Sequence, residues 1–458
     1  MEQTVNPELL YLLSGDPAEL AETVAPMRVA DVVEGLNTLS PTAAARVVGA
    51  LPLDVAVQVF DEPELERRLE VFRDLPDAVR APVLDAMSPD EQAELLREME
   101  DRERERLLPM LDPDTRRSAS LIMAYPEETA GGLMTTEFVA VPSTWTVEKA
   151  LRHIGDVGGA KETVYSIYVE DAAGRLDRVV SLRELMGVER QRLIAEVAAR
   201  RAPITVTPLT DQEEVARLIR KYNLLAVPVV DEEGRLLGIV TVDDVLDAII
   251  EEQTEDVHKV GGTEALEEPY LHIRLRRMVR KRAGWLSALF LGEMLTATAM
   301  GYFEREIARA VVLALFVPLI ISSGGNSGSQ ATTLVIRAMA VGEVRLRDWW
   351  RVARREIVAG LGLGIILGVI GLIRIFVWQA VGNVYGAHYI LIALTVAASL
   401  VGVVLWGSLV GSMLPFLLRR LGFDPASASA PFVATLVDVT GLVIYFSVAS
   451  VVLSGTML

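Results

Sequence analysis

The chain has no cysteine in 458 residues, which excludes disulfides, thiolate-held metals and cysteine nucleophiles. Its four histidines, at 153, 258, 272 and 388, stand at no paired-ligand spacing, which argues against a zinc or copper site. Any bound metal is therefore held by oxygen. The start, Met1-Glu2-Gln3-Thr4, is acidic and carries no apolar run, so no cleavable signal peptide is expected. A Gly-x-x-x-x-Gly-Lys-Ser/Thr loop and an Asp-Lys-Thr-Gly phosphorylation string are both missing, which disfavours an ATP-driven pump. The EF-hand calcium loop is missing too.

What is present is a strong asymmetry of charge. Residues 1 to 260 carry 27 Lys and Arg against 51 Asp and Glu, a net of −24, whereas residues 261 to 458 carry 17 against 11, a net of +6. The second part also holds the long apolar runs. An acidic, water-exposed part is thus joined to a membrane part, a pairing that points to cations.

Five apolar stretches are expected to span, near Gly284 to Phe303, Ala310 to Met339, Val352 to Trp378, Tyr389 to Leu418 and Ser427 to Leu453. Each reaches the roughly 20 residues that hydrocarbon requires. Basic residues cluster at Arg274 to Arg282, at Arg345, Arg347, Arg351, Arg354 and Arg355, and at Arg419 and Arg420, all on one side if spans number five. Because Lys and Arg resist translocation, that side is read as cytosolic, with the N-terminal half on it and the C-terminus outside.

Residues 1 to about 125 read as short amphipathic helices punctuated by Pro41, Pro52, Pro63, Pro76 and Pro89, with apolar pairs such as Val59 and Phe60 or Leu95 and Leu96 between them. The pattern is that of a small helical solenoid. Two similar units follow, Phe138 to Met186 and Ile204 to Ile250, each a strand, an acidic turn closed by Gly174 or Gly234, a second strand and a helix. The helix leaving the second unit holds Asp243, Asp244, Asp247, Glu251, Glu252, Glu255 and Asp256 within 14 residues. Spacings of three and four put Asp244, Asp247, Glu251 and Glu255 on one face, where like charges cost a few tenths of a kcal/mol each. Such a face stiffens when cations neutralise it. Carboxylates without Cys or His partners suit Mg2+, Ca2+ or Mn2+, and scattered acidic sites with retained waters favour Mg2+.

Two membrane features carry further information. The run Ser322 to Gln330 is polar and Gly-rich, and it reads equally as a break lining a wet cavity or as an interhelical loop. Asp438 lies mid-span among apolar neighbours, where a carboxylate costs a few kcal/mol unless it meets a partner, water or an ion, so an ion path is the preferred reading. Glu293 is a second intramembrane carboxylate.

Several strings resemble the MgtE family of magnesium channels and transporters: Glu128 to Thr135, Thr254 to Lys259, Gly324 to Gln330, Leu414 to Gly422 and Val433 to Gly441. The run from Pro228 to Asp244 likewise resembles a CBS (cystathionine-β-synthase) regulatory domain, so that the resemblance covers nearly the whole chain. It implies a multi-domain fold: an all-α N-terminal solenoid (1–130), an α+β CBS-domain pair (131–255), a connecting helix (256–282) and an all-α five-helix transmembrane domain (283–458). It implies a homodimer in the cell membrane that conducts Mg2+ through a pore on its two-fold axis, is not an enzyme, and closes when cytosolic Mg2+ is abundant. Carried over residue by residue, Asp438 is the pore aspartate and Ala434 a pore-lining position. The cytosolic Mg2+ sites fall on Asp90, Glu94, Asp211, Glu213, Asp244, Asp247, Glu252, Glu255 and Asp256. Thr241 stands at a nucleotide-contact position, which makes ATP a candidate modulator. Gln58 and Asn223 stand where related members carry an acidic ligand, and Ala430 where an Asn often lines the pore mouth. A broader Mn2+/Co2+ transporter and an adenine-nucleotide-sensing membrane protein are the alternatives.

Overall fold

The computed structural model describes residues 24, 27–197, 202–266, 270, 271 and 273–456; the acidic start, the earliest part of the expected solenoid and His272 lie outside them. The chain forms two compact units, Met1–Glu251 and Glu252–Leu458.

The first unit opens with helices α1 (Val29–Asn37), α2 (Pro41–Val48), α3 (Leu53–Asp61), α4 (Arg68–Asp74), α5 (Asp77–Ala86), α6 (Pro89–Glu98), α7 (Asp101–Leu107) and α8 (Pro113–Met123). The prolines explain the spacing. Pro41 and Pro89 occupy the first turn of their helices and Pro52 and Pro76 the N-cap, positions whose N–H groups have no intrahelical acceptor, so the missing donor costs nothing. Pro63 instead falls in the turn between α3 and α4. Phe60, Phe72, Leu84, Leu95 and Leu96 are fully enclosed, and Phe60 meets Phe72 edge-to-face at 5.8 Å.

The two repeated units follow. Strands β1 (Val139–Pro142), β2 (Ser166–Glu170) and β3 (Leu176–Ser181) form one sheet, β1 parallel and β3 antiparallel to β2, with helix α9 (Val147–Val157) as the β1-to-β2 crossover and α10 (Leu182–Met186) after β3. Helix α11 (Gln212–Tyr222) precedes the β4 (Ala226–Val230) and β5 (Leu236–Thr241) hairpin, and α12 (Val242–Val260) leaves it. The acidic turns are built alike. Asp171 Oδ1 accepts the Ala173 and Arg175 amides at 2.7 and 3.0 Å, Asp231 Oδ1 accepts those of Glu233 and Arg235 at 3.0 and 2.8 Å, and Gly174 and Gly234 take the positive φ, +73° and +82°, that each turn requires.

The second unit holds five helices long and apolar enough to cross a membrane, in spans Leu275–Tyr302, Val311–Ala340, Leu346–Gly382, Tyr389–Arg420 and Ala430–Val452. Their α-helices are α13 (Leu275–Tyr302), α14 (Val317–Ala340), α15 (Trp349–Gly382), α16 (Tyr389–Arg420) and α17 (Ala430–Val452). The expected connecting helix over 256–282 is not one helix: α12 ends at Val260, and Arg276 to Arg282 form the opening turns of α13, which begins at Leu275. That helix packs on α17 and, among its own residues, buries only Met278.

The Gly-rich run is neither a break nor a loop. Ser322 to Gln330 lie inside continuous α14, and the irregularity comes earlier, at Ala310 (φ −129°, ψ 69°) and the 3-10 turn Val311–Phe316. Sequence periodicity misleads here because glycine is a poor helix former in water, while in hydrocarbon every backbone group must be bonded within its own segment. The glycines serve close packing instead. A Cβ on Gly407 of α16 would lie 2.3 Å from the Gly324 carbonyl, and one on Gly411 would lie 2.1 Å from the Gly328 carbonyl. Hydroxyls lock the same seam: Ser327 and Ser408 share a 2.7 Å hydrogen bond, and Thr332 Oγ1 donates to the Gly411 carbonyl at 2.8 Å. Small residues with interhelical hydroxyl bonds hold helices together where no hydrophobic drive between them exists.

Candidate ion path and acidic sites

The α14 helix has two faces. Gly324, Gly325, Ser327 and Gly328 point into the bundle, while Ser322, Asn326, Gln330 and Thr333, three or four residues apart, form an exposed polar stripe. Asn326 Nδ2 donates to Ser322 Oγ at 3.4 Å within it. Asp438 of α17 stands beside this helix: a Cβ on Gly325 would meet Ala434 Cβ at 3.3 Å and Asp438 Oδ1 at 3.4 Å. Gly325 thus makes room for the carboxylate, and Ala434, one turn before it, keeps the same wall low. The α13 helix adds Glu293, whose Oε1 accepts from Thr435 Oγ1 at 3.3 Å and whose charge acts on Asp438. The sequence singles out Asp438, Ala434, Glu293 and the polar run that holds Ser322, Asn326 and Gln330, but not their alignment with Thr333 on one helical face, because the intervening glycines hide the periodicity.

The mouth of this region is tied to the end of α12. Ser429 caps α17 by accepting the Phe432 amide at 3.3 Å, and its hydroxyl also accepts from Trp285 Nε1 at 3.2 Å. Ser329 Oγ donates to the Ala430 carbonyl at 3.1 Å, so at position 430 the backbone supplies the polar contact. Lys259 Nζ lies 2.7 Å from both Glu255 Oε1 and Asp424 Oδ2. Burial works against its charge, but the hydrogen bonds and fields of Asp424 and Glu255 outweigh it and raise Lys259 above its ordinary value. Asp256 is raised by burial and then by Asp424. Glu255 and Asp256 are therefore brought together around Asp424, which the sequence reading missed although its Asp-Pro pair is a recognisable cap: Oδ1 accepts the Ala426 amide at 2.8 Å. Glu252 lies on the same helix and is partly buried.

A separate acidic site lies in the first unit. Asp90 of α6 and Asp244 of α12 act on each other, with Glu162, in the segment between α9 and β2, as a further charge on both. The Asp90 Oδ1 atom is enclosed and has no hydrogen-bond partner among the described residues. Burial first and Asp244 second hold Asp90 well above the usual carboxylate range, and burial pushes Asp244 up to about 6. One turn on, Asp247 faces Glu64, Asp243 and Glu94. Glu94 is not a free ligand, because the enclosed Arg68 guanidinium lies 2.7 Å from its carboxylate and also pairs with Glu91. Sequence reading missed Arg68, Glu162 and Glu64, which are distant in the chain and share no motif.

Asp211 and Glu213 are not among the leading charges on this cluster. Asp211 is the N-cap of α11, its Oδ1 accepting the Glu213 amide at 2.9 Å, and Glu213 is exposed. Asn223 closes the same helix with φ +51°, a conformation in which Asn is far commoner than Glu, which accounts for its identity. Gln58 lies exposed on α3, and the side chain of Glu251 lies outside the described set. Thr241 is buried, and both its amide and its hydroxyl donate to Asp244 Oδ2, so that these two groups are engaged with each other. Among the described residues no three Asp, Glu or His side chains close into a metal cage.

The pKa shifts fix a pH dependence. Burial raises both Asp90 and Asp244 on folding; the Asp244 contribution is complete below about pH 4 and is lost as pH rises through about 6, on the order of 3 kcal/mol, and that of Asp90, raised in the same direction, is likewise lost as pH rises. Without divalent cations, amide exchange in α6 and the first turns of α12, corrected for intrinsic rates, is expected to be faster at pH 8 than at pH 5, and added Mg2+ to slow it at pH 8. Equal protection at both pH values would remove the shift.

A family model described as a divalent cation transporter, MgtE, matches residues 317–448, that of the MgtE intracellular N domain residues 27–128, and that of the CBS domain residues 194–251. The magnesium transporter MgtE of Thermus thermophilus is 45% identical over 341 residues, 74% of either chain, and that of Enterococcus faecalis 37% over 333 residues, 72% of this chain and 70% of its own. A crystal structure of the soluble part of a magnesium transporter aligns with a TM-score of 0.50 at 31% identity, over 54% of this chain and 97% of that one. The matched segments take in Asp90, Asp244, Asp247 and Asp438, and the chain belongs to the MgtE family.

Proposed function

We propose that this chain is a Mg2+ channel of the cell membrane, working as a homodimer and closed by Mg2+ bound to its acidic cytosolic sites. The observation that carries the reading is the polar wall inside hydrocarbon: Ser322, Asn326, Gln330 and Thr333 beside Asp438 and Glu293. Lipid-facing, these groups would cost several kcal/mol, so the wall faces water or a second copy of itself. A two-fold axis along it sets two Asp438 carboxylates opposite each other, and a divalent ion with its waters balances their charge. The nearly bare α13 supplies surface for the second subunit. With the N-terminal half cytosolic, the membrane potential drives inward flux by roughly 4.6 kcal/mol per divalent ion at 100 mV, so no nucleotide is consumed.

Closure follows from the acidic pairs. At low Mg2+, repulsion between Asp90 and Asp244 and between Glu64 and Asp247 favours separation; at high Mg2+, bridging ions hold these carboxylates together and steady α12, whose end carries Glu255, Asp256 and Lys259. The Thr241 to Asp244 hydrogen bonds support a structural role for that pair over nucleotide contact, while ATP as a modulator remains compatible with the fold.

Proteoliposomes with an imposed inside-negative potential and no nucleotide should take up Mg2+, which a pump would not do. Asp244→Asn/Asp247→Asn/Glu255→Gln should keep taking it up when internal Mg2+ is high; intact shut-off would sink the sensor reading. Parallel uptake with Mn2+ and Co2+ separates a broad transporter from a selective one.

A further inference from the structure

We propose that the head of α15 is a binding site for the headgroup of an anionic phospholipid. Arg351, Arg354 and Arg355 sit three and four residues apart, on one face, and line an open groove of about 460 Å³ with Val358 and Ala359. Like charges at this spacing repel, so the face is favourable only where an anion lies against it. Little inside the chain meets that need. Arg354 and Arg355 make no ion pair among the described residues, the neighbouring Glu356 feels the Arg355 charge without pairing with it, and Arg351 approaches only Asp348 Oδ1, at 3.5 Å, with its side chain 86% exposed.

The same face identifies the anion as a lipid. One turn beyond the arginines it becomes apolar and stays exposed: Val358 is 68% exposed, and Leu361, Ile365 and Ile366 continue it along a span. A molecule that fits has a negative head and a hydrocarbon tail. Trp349 and Trp350, both exposed and edge-to-face at 5.6 Å, open the same helix beside the arginines, and indole rings prefer the membrane–water boundary. Guanidinium forks match phosphate oxygens two at a time, and a phosphodiester lying between Arg351 and Arg354 or Arg355 would neutralise the repulsion while its acyl chains cover Val358.

The test uses full-length protein in neutral detergent, titrated with phosphatidylglycerol or phosphatidylcholine, with retained lipid counted by native mass spectrometry. Wild type should retain phosphatidylglycerol preferentially, the preference should shrink with added salt, and Arg351→Gln/Arg354→Gln/Arg355→Gln should weaken it by roughly fivefold per arginine. Equal retention of the two lipids by wild type overturns the proposal with no variant needed. So does displacement by inorganic phosphate at the lipid's own concentration, which would mark a free-anion site. A variant whose assembly size differs from wild type would mark the face as a contact between copies of the chain, and overturns it as well. None of these readouts depends on ion transport.

Discussion

Asp438→Ala should abolish Mg2+ uptake in proteoliposomes while leaving the protein folded and assembled. The carboxylate is placed by three features described above: Gly325 of α14 has no side chain to fill its space, Ala434 keeps the preceding turn small, and Glu293 adds a second carboxylate through Thr435. Its removal takes away the charge that balances a divalent ion in a low-dielectric setting, where one tenfold loss of flux requires only ~1.4 kcal/mol. A drop of at least about a hundredfold is expected on that scale. Asp438→Asn keeps shape and polarity but not charge and should fall almost as far, whereas Glu293→Gln, which leaves Asp438 in place, should retain measurable uptake at a few-fold lower rate. Uptake by Asp438→Ala equal to wild type would end the assignment of this wall as the ion path. The protein's melting temperature should stay level or rise, since an apolar residue in hydrocarbon is cheaper to fold than a carboxylate.

Gly411→Ala should do the opposite, harming the fold first and transport only in consequence. Its new methyl would lie 2.1 Å from the Gly328 carbonyl and 2.8 Å from Thr332 Oγ1, and both belong to helix backbone or to a hydroxyl already bonded across the seam. Neither can step aside without parting α14 from α16. Overpacking of this kind costs about 1–3 kcal/mol, and loss of the Thr332 bond adds to it. A clear fall in melting temperature in detergent is expected, with Gly362→Ala, where a methyl meets nothing within 4 Å, as the matched control. Equal melting of the two variants would show that the seam is looser than these distances state.

The contrast between Asp438 and Gly411 shows what could be read from the chain before its fold. Asp438 was legible because hydrocarbon makes a lone carboxylate anomalous on sight, and five spans were legible because length and hydropathy suffice for them. The helical solenoid was legible through its prolines, and the paired hairpins through Asp171 to Gly174 and Asp231 to Gly234. The role of the glycine run was not, since glycine signals a turn in water and a close approach in a membrane, and composition does not say which solvent prevails. Arg68 and Glu162 were also out of reach: each joins its site across tens of residues, and an arginine or glutamate in an amphipathic stretch carries no mark of its eventual neighbour. Asp211, which resembles a sensor residue by position, is occupied as a helix cap in this structure.

Lys259 has a consequence of its own. The cation that bridges Glu255 and Asp424 is tethered to the chain, so its effective concentration is set by one helical turn and not by the surrounding solution. Chelators that strip every dissolved metal would leave this one clasp fastened.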